Sequence, residues 1–370
     1  MRTLFVHSGN MFGGVERVLA VVGGPDGAPI DPRFAVCFDG SIAATLRARG
    51  AQVHLLGPVR MTRPDLALAA RRRLAAWLAT ERPDAVVMTS AWAHAIFAPV
   101  ARRAGLPVVL WVHDVLSGDN WLERLSRRST PDQVVCNSHV TERAARTVFP
   151  GAPTTVVYCP LTFDAPAKAR DAVRHSLQVN PGTPVVISIG RMEPYKGQRV
   201  LLEALARLPG GVDWCWWCVG GPQRSDEAAY FAALQQQVRS AGLDDRVRFL
   251  GSRNDVADLL AAADVLCHPN SGVEPFGLVL VEALHAGLPV VASRLGGPEE
   301  IVTDACGALV PPGDAAALAT ALTALLSNDV RRRELGSAGP ARAAALCDAT
   351  ARIRDLEQAI AKAIRLRSAA

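Results

Sequence analysis

Two glutamates stand at the ends of the run Glu274-Pro275-Phe276-Gly277-Leu278-Val279-Leu280-Val281-Glu282, which continues into Ala283-Leu284-His285-Ala286-Gly287. The second half reads as a helix of about ten residues, with Gly277 near its start and Gly287 suited to the position after its end. That helix is apolar nearly all round, the pattern of a buried element. Glu282 therefore carries a carboxylate into an apolar setting, and Glu274 stands just outside the helix N-terminus. A buried carboxylate is costly unless something hydrogen-bonds to it. The free N–H groups of a helix start attract an anion such as a phosphate. Two carboxylates flanking an anion site suit a ligand with hydroxyls at both ends and phosphate in the middle, and a nucleotide sugar has that form. The plainer reading is a pair of buried acids sharing structural partners.

More chemistry follows other apolar runs. After Val185–Ile189 come Gly190-Arg191 and, past a proline-containing turn, Lys196-Gly197. Arg191 by its fork and Lys196 as a point charge could clamp a diphosphate. Gly220-Gly221-Pro222 after the next run is a close-approach turn. Near the start, Gly13-Gly14 precedes a helix beginning Val15-Glu16-Arg17, where backbone N–H groups could approach a phosphate or sugar. The spacing is not GxGxxG, which argues against a plain NAD site. His113 ends the run Val108–Val112 and is a candidate for contacting a reacting sugar, although a histidine there is more often structural.

These residues need a scaffold, and the rest of the chain describes one. Its 370 residues exceed one ordinary core and suggest two domains. Apolar β-rich runs alternate with helical patterns throughout. The runs are Thr3–His7, Phe34–Phe38, Gln52–Leu56, Ala85–Thr89, Val108–His113, Gln133–Asn137 and Thr155–Tyr158, then Val185–Gly190, Trp214–Gly220, Val247–Gly251, Val265–His268, Pro289–Ser293 and Gly307–Val310. Several lack alternation, as parallel strands covered on both faces do. Proline-rich Cys159–Thr183 is the natural linker, and its helical middle, Ala167–Leu177, is expected to dock on the second domain. The expected division is 1–165, 166–345 and a last helix in 346–370. In open parallel sheets ligands bind beyond the C-terminal strand ends, where the groups named above fall.

Composition narrows the classes further. Nearly half of the residues are apolar and a fifth charged, as in a soluble globular protein. The eight scattered cysteines read as reduced, buried small hydrophobes of a cytoplasmic protein; Cys215-x-x-Cys218 lies in an apolar strand and lacks a second pair at zinc spacing. No run reaches the ~20 apolar residues of a membrane span, and none reads as a signal peptide. Arg71-Arg72-Arg73, in the helical stretch Asp65–Glu81, could touch anionic lipid at the inner face of a membrane, but a solvated helix face is the plainer reading. Aromatic residues do not interleave with the charges, so nucleic acid is not an expected partner.

Taken together, Gly13-Gly14, Gly190-Arg191 with Lys196-Gly197, and the Glu274-x7-Glu282 spacing resemble the retaining glycosyltransferases of family 4. The likeness covers nearly the whole chain. It is strongest over Val185–Asp314, which also holds Leu250-Gly251, Ala286-Gly287-Leu288-Pro289 and Val310-Pro311-Pro312-Gly313-Asp314. The resemblance implies the GT-B fold, an α/β architecture of two Rossmann-like doubly wound domains facing each other across a cleft. It implies a donor site in which Glu274 holds the sugar hydroxyls and Glu282 the ribose. Arg191, Lys196 and the N–H groups of Phe276, Gly277 and Leu278 would hold the diphosphate, approached by Gly13, Gly14, Gly190 and Gly221. His113 would lie near the sugar, and the base would stack near Gly251-Ser252-Arg253. The activity implied is front-face, retaining transfer of a hexosyl or N-acetylhexosaminyl group, with a UDP-sugar as the expected donor. No cofactor or metal is expected, and no Asp-x-Asp is present.

The expected acceptor is a sugar, an aminocyclitol or a lipid-linked glycan. The loops expected to choose it are Ser8–Phe12, Gly57–Arg63, Ser90–His94 and Val115–Trp121, which carry Asn10, Trp92, His94, Asp119 and Trp121. The last helix, Leu346–Leu366, is expected to cross back to the first domain. Competing readings are a nucleotide-sugar 2-epimerase, a sugar-phosphate synthase, an NAD-dependent dehydrogenase, and a binding protein with a degenerate site.

Overall fold

The computed structural model describes residues 1–9, 13–24, 29–60 and 62–369. Asn10, Met11 and Phe12 of the first loop lie outside the described residues. The chain divides into two compact units, Met1–Thr162 with Cys347–Ala370, and Phe163–Leu346.

The first unit runs β1 (Arg2–His7), α1 (Gly14–Val22), β2 (Asp31–Val36), α2 (Ser41–Ala48), β3 (Gln52–Leu55), α3 (Pro64–Glu81), β4 (Ala85–Met88), α4 (Ala91–Arg103), β5 (Val108–Val112), α5 (Trp121–Ser126), β6 (Gln133–Cys136), α6 (His139–Val148) and β7 (Thr154–Val156). Its strands form one parallel sheet in the order β3-β2-β1-β4-β5-β6-β7. β4, β5 and β6 are buried along their whole length, which is why β4 and β5, and β6 after Gln133, are unbroken apolar runs rather than alternating ones. Leu4, Val86, Phe97, Leu110 and Val134 belong to the core on one face of this sheet.

β2 begins earlier than Phe34, taking in Asp31 and Pro32. Proline is tolerated there because Asp31 N–H bonds Met1 O on the β1 side, so the N–H that Pro32 lacks would face β3. β3 pairs only from Arg33↔Gln52 onward, so no ladder bond is lost.

The second unit runs α7 (Arg170–Ser176), β8 (Val185–Ile189), α8 (Gln198–Leu205), β9 (Cys215–Val219), α9 (Ser225–Ser240), β10 (Val247–Gly251), α10 (Val256–Ala262), β11 (Val265–His268), α11 (Leu278–His285), β12 (Val290–Ser293), α12 (Pro298–Ile301), β13 (Gly307–Val310), α13 (Ala315–Leu326) and α14 (Asp329–Cys347). Its parallel sheet has the order β10-β9-β8-β11-β12-β13. The linker helix α7 docks on α10: Ala167 and Lys168 N–H both bond Asp258 Oδ1, and buried Arg174 bonds Asp264 at 3.1 Å. Cys215 and Cys218, three apart on β9, point to opposite faces of the sheet and cannot bridge. Both are buried free thiols, Cys218 pushed up to about 12 by burial, so they serve as core atoms.

The chain ends with α15 (Ala349–Ser368), which packs on β4, β5 and β6 of the first unit. The break after α14 falls at Asp348, whose carboxylate caps α15 through Ala351 N–H at 2.8 Å. Ile353, Leu356 and Ile360 are buried along α15, each contributing about 1.5–3 kcal/mol. Among the described residues, no helix is long and apolar enough to cross a membrane.

Candidate active site

In the second sheet the strand order reverses between β8 and β11, the switch point at which open α/β sheets hold ligands. Lys196 follows β8 and Glu274 follows β11, and the two meet there with Nζ 2.8 Å from Oε2. Gly197 brings the loops together. It has φ +72°, and a Cβ there would stand 1.9 Å from the carbonyl oxygen of Pro269, so only glycine lets the β8 loop lie against the β11 loop. The same Glu274 oxygen accepts Asn270 Nδ2 at 2.8 Å and His268 Nε2 at 3.1 Å. Burial pushes the Glu274 carboxyl up, but the His268 hydrogen bond and charge, with those of Lys196, outweigh it and hold it at about 2.

The helix predicted after Glu274 is α11. Gly277 precedes it with φ 104° and provides no side-chain cap, so the first N–H groups of α11 are not covered by a capping side chain. At the other end Gly287 N–H bonds Leu284 O and Leu288 N–H bonds Ala283 O, the two bonds of a Schellman motif. Glu282 is buried one turn after Leu278 on the same face, and its Cα–Cβ bond tilts toward the helix start. Phe276 is buried against the loop after β12, where a Cβ on Gly297 would lie 2.1 Å from Phe276 O. The backbone from Glu274 to Phe276 thus lies against the loop after β12, to which Gly297 N–H also bonds Glu274 O at 2.8 Å.

Arg191 takes a different direction from Lys196. Its guanidinium is 2.9 Å from Glu193 and 3.6 Å from Glu227, both buried carboxylates. Arg224 shares both partners, at 3.1 Å and 3.2 Å. Burial, followed by the neighbouring Glu193, pushes the Tyr195 hydroxyl up to about 12. Gly190 lies beside the Lys196 stem, and Gly221 lies beside Ser252 at the ends of β9 and β10. Arg253 is forked onto Asp255 at 2.7 and 2.5 Å.

The first sheet reverses between β1 and β4. His7 at the end of β1 bonds Thr89 Oγ1 at 2.7 Å and Glu16 Oε1 at 2.9 Å, all three buried. The other Glu16 oxygen accepts Gly13 N–H at 2.8 Å, which ties the glycine pair to the strand end; Gly14 is the first residue of α1. Burial raises Glu16, and the His7 hydrogen bond and charge bring it below the ordinary value. His113 follows β5, buried against the Trp111 ring at 4.7 Å, and its Nε2 has no hydrogen-bond partner among the described residues. Burial, then the nearby His7 charge, pushes it down to about 3, so at neutral pH it is an uncharged imidazole.

Of the expected acceptor residues, Trp121 is half exposed and Asp119 exposed. Trp92 packs edge-on against Phe97, and His94 is wholly buried against Phe149, so His94 belongs to the core. A cavity of about 290 Å³ opens at the opposite, N-terminal edge of β11 and β12. Its Arg170 is paired with Asp264 and its Arg332 and Arg333 with Asp329, and the switch-point site carries the chemistry.

Two family models match the chain, one described as glycosyl transferases group 1 over residues 169–342 and the other as glycosyltransferase family 4 over residues 13–164. The chain belongs to the family 4 glycosyltransferases. The chain is 45% identical over 158 residues to a phosphatidyl-myo-inositol mannosyltransferase of Mycobacterium leprae, covering 42% of this chain and 40% of that protein. It is 33% identical over 232 residues to a D-inositol 3-phosphate glycosyltransferase of Kineococcus radiotolerans, covering 57% and 53%. The match therefore spans about half the length of these curated relatives. Among solved structures, Anabaena HepE in complex with UDP superposes with a TM-score of 0.86 at 26% identity, covering 98% of this chain and 100% of that one. The same protein has been solved with UDP-glucose, at a TM-score of 0.84. The two Rossmann-like units are those of the GT-B fold.

Within the second unit the structure joins Lys196 to Glu274 and leaves Arg191 on other partners. Sequence reasoning passed over His268, Asn270, Glu193, Glu227, Arg224 and the His7–Thr89 contact. His268 and Asn270 had a signal, since both fall at or just after a strand end on the ligand edge.

Proposed function

We propose that the chain is a retaining, metal-independent glycosyltransferase that moves a hexosyl group from a UDP-sugar to a hydroxyl of a polyhydroxylated acceptor. The observation that carries the reading is the switch-point arrangement. Glu274 is held ionised at 2.8 Å from Lys196, beside an α11 start that no side chain caps, with Glu282 one turn along the helix. The HepE complexes with UDP and UDP-glucose support the choice of donor.

In this reading Glu274 accepts hydroxyls of the donor sugar and Glu282 those of the ribose. Arg191, Lys196 and the N–H groups of Phe276, Gly277 and Leu278 take the diphosphate, approached by Gly190 and Gly221. The base lies near Arg253. As the glycosyl–phosphate bond breaks, negative charge grows on the diphosphate. These cations and the helix N-terminus stabilise that charge without a divalent ion. His113, neutral and buried, is suited to a hydrogen bond with a sugar hydroxyl. The acceptor oxygen bonds the anomeric carbon on the face the diphosphate leaves and gives its proton to a phosphate oxygen, so the anomeric configuration is kept. The named activities of the relatives favour a cyclitol or sugar acceptor, with any membrane contact peripheral.

Incubation with UDP-sugars and a panel of inositols, sugars and lipid-linked glycans in EDTA, followed by proton NMR of the product, tests the reading. Transfer with the donor's anomeric configuration and undiminished rate is expected. An inverted product, or loss of turnover on chelation, contradicts it.

A further inference from the structure

Every hydrogen bond to the Glu274 carboxylate falls on one oxygen. Oε2 accepts Lys196, Asn270 and His268, whereas no donor among the described residues reaches Oε1. A carboxylate has about four acceptor positions, so this crowding leaves one oxygen for a ligand. The three donors differ in kind. Lys196 ends a flexible stem and is the cation the proposed function assigns to the diphosphate. His268 and Asn270 are 4% and 1% exposed. They flank Pro269, whose carbonyl lies against Gly197, so their loop is held from the β8 side.

We infer that His268 and Asn270 are positioning residues for Glu274, fixing Oε2 so that Oε1 is presented to a hydroxyl of the donor sugar. They keep the carboxylate in place when Lys196 turns to the diphosphate. Without them Glu274 would follow Lys196, and the sugar would lose its anchor at the moment the phosphate is engaged. The inference rests on the proposed donor site and adds to it the residues that aim its central carboxylate.

The site makes a distinction that mere structural support would not. Glu274 faces the sugar, and a bare nucleoside diphosphate lacks that group. His268→Ala, His268→Gln and Asn270→Ala should be titrated calorimetrically with UDP, GDP and ADP and with their hexose conjugates, and assayed for turnover. The inference expects diphosphate affinity within about twofold of wild type in both alanine variants. It also expects at least a tenfold loss in affinity for the preferred nucleotide sugar relative to its diphosphate, and a kcat fall toward 100-fold, the scale of a misplaced reacting group. Glutamine at 268 keeps an N–H donor and should recover most of the loss. Should Asn270→Ala fail to fold, the alanine and glutamine pair at His268 gives the same comparison.

Parallel loss of affinity for the diphosphate and its sugar conjugate, with a lowered melting temperature, would assign both residues to structure and overturn the inference. Wild-type behaviour of both alanine variants would overturn it as well. A wild-type protein that binds none of the nucleotides would remove the donor site and the inference together. Wild-type nucleotide-sugar binding with unselective variants would remove the inference alone.

Discussion

Glu274→Gln keeps the size of the side chain and an oxygen for Lys196, His268 and Asn270, but removes the charge. The carboxyl is held at about 2, against an ordinary value of 4.5, and its side chain is 12% exposed. At roughly 1.4 kcal/mol per pKa unit, the folded site gains about 3 kcal/mol from the ionised form. Weakening three hydrogen bonds to the carboxylate by about 1 kcal/mol each, on removal of its charge, gives a similar figure. The substitution should therefore lower the melting temperature at pH 7 by about 6–12 °C, given ~2–4 °C per kcal/mol for a domain of this size. The folded value is depressed, so the stabilisation is fully present above the unfolded value of 4.5 and is lost as pH falls toward 2. Calorimetric melts of wild type and variant at pH 7, 5 and 3 should show a gap that holds from 7 to 5 and shrinks by more than half by pH 3. A gap that is equal at pH 7 and pH 3, or absent at pH 7, would refute the ionised, triply bonded carboxylate.

Three further substitutions probe the same site. Gly197→Ala places a methyl against Pro269 O at a positive φ, so it should lower thermal stability and nucleotide affinity together, read by melts and titration in parallel. Arg191→Ala leaves Glu193 and Glu227 to Arg224 and should cut kcat/KM about 100- to 1000-fold in the transfer assay, the cost of removing one preorganised donor. Wild-type turnover in that variant would remove Arg191 from the diphosphate. Glu282→Ala should weaken UDP binding about tenfold or more by calorimetry while the protein stays folded; unchanged UDP affinity would take Glu282 off the ribose.

The fold was readable because its strands are buried on both faces, so each appears as a short apolar block whatever its neighbours are. Helix α11 was equally plain, since Gly277 and Gly287 mark its ends and apolar residues fill all sides. Pairings across the sheet were not readable. Lys196 and Glu274 are 78 residues apart, and nothing local says that Lys196 faces Glu274 while Arg191 faces Glu193 and Glu227. Those choices depend on loops brought together at the β8–β11 switch point and on the close approach at Gly197. His268 closes the apolar strand β11, and its place as a strand residue masked the role of its ring. The Pro32 start of β2 was missed because proline reads as a break unless the register of the neighbouring strand is known. The apolar strand around Cys215 and Cys218, by contrast, was enough to mark both as core residues.

The most direct test of the central claim is a thermal-shift and calorimetric titration of the whole chain with UDP, GDP, ADP and dTDP, their sugar conjugates, and NAD. A ligand at a hundred times its dissociation constant adds about 2.7 kcal/mol of stability, a shift well within measurement. The account predicts a clear response to UDP and a UDP-sugar, lost or much reduced in Glu282→Ala. Silence from every nucleoside diphosphate, or a response to NAD alone, would contradict it.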